Sequence, residues 1–263
     1  MPSTLTETIL TQFDPDAEKL LVVDPSESVL SALISARFDS NHLPELAVVA
    51  TEPRLKSALS KFPTAAKAAA LVDETALTLR RSDAVAGNSL LLTTETAAAI
   101  VDSSDGIIPL PATEQAVVDK LHTTYQNRFE NAEPYSLRTP SLTQLQTTLE
   151  DTFGTAFRTD FEAVIEALES YAEPLEIVPI VLLLAAKHEA LLYDISNWGE
   201  ETGLASKATF SRTKTELEDQ ELIGTAKVPI EVGRPRLRLQ LIEDDLMDED
   251  VPELVDTAIK TMH

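Results

Sequence analysis

The residues Trp198–Arg212 constrain the fold most, because they describe two helices joined by a tight turn. Gly199 would let the two helices approach closely, and Gly203 supplies the left-handed conformation that ends the first one. Ser206 is a good N-cap for the second helix, in which Phe210 turns inward. Its polar side chains are left largely outward: Lys207, Thr209, Ser211, Arg212 and Lys214. This pattern predicts a helix-turn-helix, a motif whose second helix enters the major groove of DNA.

A β-hairpin is predicted directly after these helices. The runs Lys227–Glu231 and Arg236–Leu241 are strand-like and are joined by Val232–Pro235. In the second run leucines alternate with polar residues, so that one face is apolar and the other is basic. The polar positions are Arg236, Arg238 and Gln240. A hairpin in this place is a wing, so we interpret Pro179–Leu241 as a winged helix.

Helices also fill the region before this motif. Pro179 lies just inside the start of a very apolar helix that we expect to extend to Leu192, followed by a shorter helix from about Ile195 to Thr202. Upstream, a long helical stretch is interrupted near Gly154, and Thr159–Glu162 forms a capping box. This upstream stretch could bridge two domains, pair with its twin in a dimer, or pack as an ordinary helix pair.

The distribution of charge supports the DNA-binding interpretation. The whole chain has a formal net charge of −23, yet Gly203–Thr215 carries three basic residues and no acidic one. Ile223–Leu241 carries four basic residues against Glu231. We expect Ser206 and Thr209 to contact phosphate or base edges and Arg212 to contact a guanine. The wing arginines would contact phosphate or the minor groove: Arg234, Arg236 and Arg238.

Three alternatives to DNA contact stay open. Lys207 and Arg212 could pair with nearby carboxylates on a surface helix. Arg236 and Arg238 could form the solvated face of an amphipathic strand. The whole motif could be a protein–protein interaction adaptor that lacks specific DNA binding, with its basic face against an acidic partner.

The N-terminal half alternates strand-like and helical runs, which predicts an α/β domain. Helices are expected over Ser28–Ala36 and, with Thr51 as N-cap, through Leu59. The predicted strands are Leu20–Val23, Leu46–Ala50, Ala76–Leu79, Leu90–Thr93 and Gly106–Leu110. Helix N-termini favour negative charge, so Thr51, Arg54 and Arg80 are candidates for binding a small anion. Ordinary capping and surface arginines are the alternative.

Several chemistries are disfavoured by what the sequence lacks. There is no cysteine, and the four histidines lie far apart, so we expect no metal site. The seven glycines form no phosphate-binding cluster, and no Gly-x-Ser-x-Gly motif occurs, so we expect neither a cofactor nor an enzyme. No apolar run approaches the ~18 residues of a membrane span, and Met1–Leu10 lacks the basic region of a signal peptide. These features predict a soluble cytoplasmic protein, and its acidity is typical of proteomes adapted to high salt.

The segments Gly203–Arg212 and Gly233–Arg238 resemble haloarchaeal winged-helix transcriptional regulators of the TbsP type, which are loosely allied to the TrmB-like regulators of sugar metabolism. The resemblance implies a homodimeric regulator of central carbon metabolism genes that binds double-stranded promoter DNA, with a sugar phosphate as a possible effector. TrmB-like proteins carry the winged helix at the N-terminus and this chain carries it at the C-terminus, so no ligand residue is transferred.

The predicted organisation has four parts. Residues 1–140 form the α/β regulatory or sensor domain, and residues 141–172 form a helical linker or dimerisation segment. Residues 173–246 form the winged helix-turn-helix domain. Residues 247–263 form an amphipathic C-terminal helix that either joins a dimer interface or covers the domain's own core.

Overall fold

The computed structural model describes residues 17–40, 43–84, 86–103, 106–171, 173–229, 235–242 and 254–256. The chain divides into two compact units, Met1–Arg138 and Thr139–His263. Within the described ranges, no helix is both long enough and apolar enough to cross a bilayer.

The first unit contains a mixed sheet of seven strands in the order β6-β5-β4-β1-β2-β3-β7. Its parallel strands are β1 (Lys19–Val23), β2 (Glu45–Ala50) and β3 (Leu77–Arg81). The antiparallel strands are β4 (Ser89–Leu92), β5 (Ala97–Ser103), β6 (Gly106–Pro111) and the short β7 (Glu133–Pro134). β1 and β2 are apolar and buried nearly throughout, because helices cover both faces of the sheet.

Helices pack on both faces of this sheet, so the N-terminal unit has the predicted α/β architecture. The helices on one face are α1 (Glu27–Asp39), α2 (Glu52–Ala58) and α3 (Phe62–Asp73). On the other face, α4 (Gln115–Asn131) buries Val118 and Phe129. Neither α3 nor β5 was predicted from the sequence. α3 is buried continuously from Pro63 to Leu71 and therefore shows no amphipathic period, and β5 begins with three alanines, which have low strand propensity.

The second unit is mainly helical and ends in a hairpin. Its elements are α5 (Leu142–Phe153), α6 (Thr155–Glu169), α7 (Ile177–Lys187), α8 (Leu192–Glu201), α9 (Lys207–Asp219), β8 (Ile223–Val228) and β9 (Arg236–Leu241). α7 is buried from Ile177 to Ala186 and forms the centre of the core. α5 and α6 pack inside this unit, where the Trp198 indole N–H donates to Thr148 Oγ1 at 2.9 Å.

Three predicted boundaries were wrong. The apolar helix ends at Lys187, because Glu189 has a φ of 49° and the next helix begins at Leu192. α6 begins at Thr155, directly after Gly154 (φ 90°), so the capping box expected at Thr159 lies inside the helix. The first strand of the hairpin is Ile223–Val228, which begins four residues earlier than predicted.

Some predicted features fall outside the described residues. They include Gly233 and Arg234, which were expected between the two strands of the hairpin, and most of the expected C-terminal helix. Within that helix, Leu254–Asp256 is helical, and Leu254 and Val255 are buried.

Candidate nucleic-acid interface

The turn between α8 and α9 has the predicted construction. Gly203 has a φ of 77°, a left-handed conformation that glycine adopts without steric cost. Ser206 then caps α9, since its Oγ accepts a hydrogen bond from the backbone N–H of Thr209 at 3.2 Å. Gly203 and Ser206 therefore have the conformation and the capping hydrogen bond that the sequence predicted.

The crossing of the two helices is very close. A Cβ atom at Gly199 would lie 2.1 Å from Cε2 of Phe210, so only glycine fits at this position of α8. Phe210 is fully buried, and Leu217 follows it on the inner side of α9 at helical spacing. These contacts fix which side of α9 faces the core and therefore which side faces solvent.

Most of the predicted DNA-contacting residues of α9 lie on its solvent side. Ser206, Lys207, Ser211 and Arg212 are exposed, and Thr209 is half-buried. These five residues are named the α9 surface below. Lys214 differs from the prediction: its side chain is only 14% exposed, and its Nζ lies 2.5 Å from Glu218 Oε2.

The wing is anchored to the core by its second strand. β8 and β9 pair antiparallel, with Ile223 opposite Leu241 and Val228 opposite Arg236. Leu239 and Leu241 are buried, as the alternation predicted, while Arg236 and Arg238 are half-exposed. The Leu239 N–H donates to Ala190 O at 2.9 Å, so the turn between α7 and α8 adds a third chain segment to the hairpin.

A groove of about 520 Å³ separates α9 from the wing. Its lining residues are Leu192, Tyr193, Ser196, Lys207, Ser211, Pro235, Arg236 and Leu237. The three lining residues of α8 were not predicted from the sequence, and two of them, Leu192 and Tyr193, precede Ile195, where this helix was expected to begin. A start at Leu192 would have placed Tyr193 and Asp194 in the first turn and identified both as surface candidates.

Acidic side chains pair with the cations of this surface. The ion pairs are Lys207–Glu200 at 3.0 Å, Arg212–Glu216 at 3.9 Å, Arg236–Asp194 at 3.1 Å and Arg238–Glu189 at 3.6 Å. The hydrogen bond from the Lys207 ammonium lowers the pKa of Glu200 below its ordinary value. The surface is therefore basic along the sequence but largely balanced in space, and any anion that binds it competes with these carboxylates.

Two of the three candidate anion-binding residues of the first unit, Thr51 and Arg54, contact Asp24 of the protein itself. Asp24, fully buried at the end of β1, accepts the Thr51 N–H at Oδ1 (3.2 Å), and its backbone carbonyl accepts Arg54 Nη1 (2.9 Å). Arg80 donates instead to the carbonyls of Glu130 and Ala132 near the end of α4. Thr51 and Arg54 thus contact Asp24, whereas Arg80 contacts the end of α4, and a shared anion site of the three residues stays a prediction. In the same ranges, no group of three His, Cys, Asp or Glu side chains could hold a metal ion.

Two family models match the chain. One is described as "Transcriptional regulator TbsP-like, N-terminal" and covers residues 1–140, and the other as "Transcriptional regulator TbsP-like, C-terminal HTH domain" and covers residues 141–259. A search of curated proteins and a search of solved structures each found no match. Both descriptions name a regulator of transcription and not an enzyme, in agreement with the sequence analysis. The chain belongs to the TbsP-like transcriptional regulators.

Proposed function

We propose that this regulator binds promoter operators in a sequence-specific manner through the α9 surface and the wing. The observation that carries the proposal is the exposed first half of α9, capped by Ser206 and held against α8 by the Gly199–Phe210 contact. A recognition helix reads base edges with its N-terminal residues. Arg212 has 72% of its side chain exposed and can exchange its 3.9 Å ion pair with Glu216 for a guanine. Lys207, Arg234, Arg236 and Arg238 supply phosphate contacts.

We also propose that the protein acts as a homodimer in the cytoplasm of a haloarchaeon. Two-fold symmetry would match operators with two half-sites, and the net charge of −23 fits a proteome adapted to high salt. The resemblance to TbsP-type regulators favours genes of central carbon and sugar metabolism as targets.

The α/β unit would serve in effector sensing or dimerisation. Arg54 is exposed at the carboxyl ends of the parallel strands, where ligands of open α/β sheets bind. A sugar phosphate is the effector class that the family resemblance suggests. If it binds here, addition of the sugar phosphate changes the affinity for operator DNA, and Arg54→Gln abolishes that change without altering the affinity of the effector-free protein.

Genome-wide occupancy of a tagged copy, measured in the native host so that the intracellular salt is correct, tests the proposal. Sharp peaks at promoters that share a two-fold motif are expected, and the adjacent genes identify the pathway. Diffuse occupancy without a motif, under several carbon sources, would contradict sequence-specific binding and support a protein–protein adaptor.

Arg212 carries the most specific prediction of this function. Arg212→Ala should weaken operator binding by roughly 1–3 kcal/mol and relax the preference at one base position. Fluorescence anisotropy with a set of single-base operator variants measures both effects. Arg158→Gln is a matched control, because Arg158 also forms ion pairs with carboxylates of its own unit, Glu150 and Glu162, but lies on α6. Unchanged base preference in Arg212→Ala would contradict the assignment.

A further inference from the structure

A side-chain cluster at the groove between α9 and the wing links the wing to α8. The Arg236 guanidinium lies over the ring of Tyr193, with its carbon 4.2 Å from the ring centroid. The same group donates from Nη1 to Asp194 Oδ1 at 3.1 Å. Two consecutive residues in the first turn of α8 therefore hold one arginine of β9.

This contact orders the Arg236 side chain before any ligand binds. A free arginine loses much rotamer freedom when it is fixed in one geometry. Here the cation–π contact and the charge-assisted hydrogen bond have already fixed it. The bond to Asp194 is the only hydrogen bond of this guanidinium among the described residues, and 36% of the side chain is exposed. Further N–H donors of the planar group are thus available to an acceptor in the groove.

The lining of the groove combines apolar walls with cations. Leu192, Pro235 and Leu237 contribute apolar surface, while Lys207 and Arg236 contribute positive charge. A strand of DNA has the complementary chemistry, since each nucleotide presents the apolar face of a deoxyribose and one phosphate anion. Tyr193 is 51% exposed although it is a large aromatic residue, and its contact with Arg236 gives this exposure a structural reason.

We propose that the groove binds the sugar–phosphate backbone of one DNA strand and that Arg236 contacts a phosphate there. Tyr193 is then the positioning residue that holds Arg236 in place. The proposal rests on the proposed DNA-binding function and extends the interface to α8. Phosphate contacts set the register of a protein on the duplex. The stacked pair would therefore orient α9 relative to the bases that Arg212 reads.

A double-mutant cycle tests this assignment. The affinities of the full-length parent, Arg236→Gln, Tyr193→Ala and the double variant are measured by anisotropy on a promoter duplex and on a scrambled duplex of equal length, at several KCl concentrations. Arg236→Gln should weaken binding to both duplexes by a similar factor, roughly three- to tenfold, and reduce the slope of log affinity against log salt by about one. Tyr193→Ala should weaken binding in the parent but not in the Arg236→Gln background, because Tyr193 acts through Arg236.

Two further variants separate positioning from folding. Tyr193→Phe keeps the ring and should retain the parental affinity. Tyr193→Leu keeps the apolar packing but has no aromatic face, and should behave like Tyr193→Ala. The emission of Trp198, the only tryptophan of the chain, verifies that each variant is folded.

Contrary outcomes are distinguishable. Additive effects of the two substitutions would overturn the positioning role of Tyr193. If Arg236→Gln bound the duplexes as tightly as the control Arg158→Gln, the assignment of Arg236 to a phosphate would be wrong. This would hold even if Arg212→Ala still impaired recognition of the promoter. A parent protein that does not distinguish the promoter duplex from the scrambled one would instead contradict the proposed function itself.

Discussion

At the crossing of α8 and α9, the hydrogen atom of Gly199 occupies a space in which no methyl group fits. Gly199→Ala would place Cβ 2.1 Å from Cε2 of the buried Phe210, so the helices must separate or the ring must move. We expect a loss of about 1–3 kcal/mol in the free energy of unfolding, as in other overpacked cores. Urea titration followed by Trp198 fluorescence measures this loss. Gly224→Ala is the control, since its Cβ would meet Ile242 at an ordinary 3.5 Å; equal stability of the two variants would contradict the argument.

In the α/β unit, the buried carboxylate of Asp24 is held by specific polar contacts. Its Oδ2 accepts the Ala86 N–H at 2.5 Å and pairs with Arg128 Nη2 at 3.1 Å, and its φ is 44°. Asp24→Asn keeps the size and tolerates the left-handed backbone, but it leaves the Arg128 guanidinium, whose side chain is 13% exposed, without its counter-charge. We expect about 3–5 kcal/mol of destabilisation.

The loss of stability expected for Asp24→Asn would be measured as faster amide hydrogen exchange in β1 and β2, because the sheet would open more often. Glu27→Gln, at an exposed carboxylate bonded to Ser57, should stay within about 0.5 kcal/mol of the parent. Unchanged protection in Asp24→Asn would mean that the buried ion pair contributes no net stability.

At the scale of elements, β6 forms one edge of the seven-stranded sheet. The Ala112 N–H donates to Ala97 O in β5, so in this register the backbone nitrogens of Pro109 and Pro111 face the open edge. Proline has no N–H to donate, so at these two positions β6 offers no hydrogen-bond donor to another strand. Replacing both prolines by threonine should therefore promote intermolecular association at high concentration. Sedimentation velocity measures it, and unchanged sedimentation would show that other features protect this edge.

Some elements were predictable because the residues that determine them lie close together in the sequence. β9 and the turn into α9 depend on residues a few positions apart, namely the alternating leucines, Gly203 and Ser206, so the sequence predicts them well. α3 and β5 depend on burial by distant parts of the sheet and carry only a weak local pattern. The start of α8 was misplaced because Leu191 and Leu192 continue an apolar run that the structure divides between two helices.

At the scale of the whole molecule, the net charge is −23. Acidic residues also lie at the proposed interface, where Glu200 forms an ion pair with Lys207 at 3.0 Å. Glu200→Gln should raise the affinity for any duplex roughly two- to fivefold, because it removes a carboxylate near phosphate and releases an ammonium. The slope of log affinity against log salt should steepen by about one. Glu52→Gln, which breaks similar exposed pairs with Lys56 and Arg81 in the first unit, is the control. Equal affinities and slopes for the two variants would indicate that Glu200 does not face DNA.

The sequence by itself determined the class of this protein: an α/β unit, then a helix-turn-helix with a wing. These features depend on periodicity, capping and glycine conformations, which act over a few neighbouring residues. Only the tertiary structure decided which groups neutralise which, because the partners lie far apart along the chain. Asp194 and Arg236 are 42 residues apart, and Asp24 and Arg128 are 104 residues apart. No local pattern encodes such pairs, since they form only when packed helices and strands bring the side chains together.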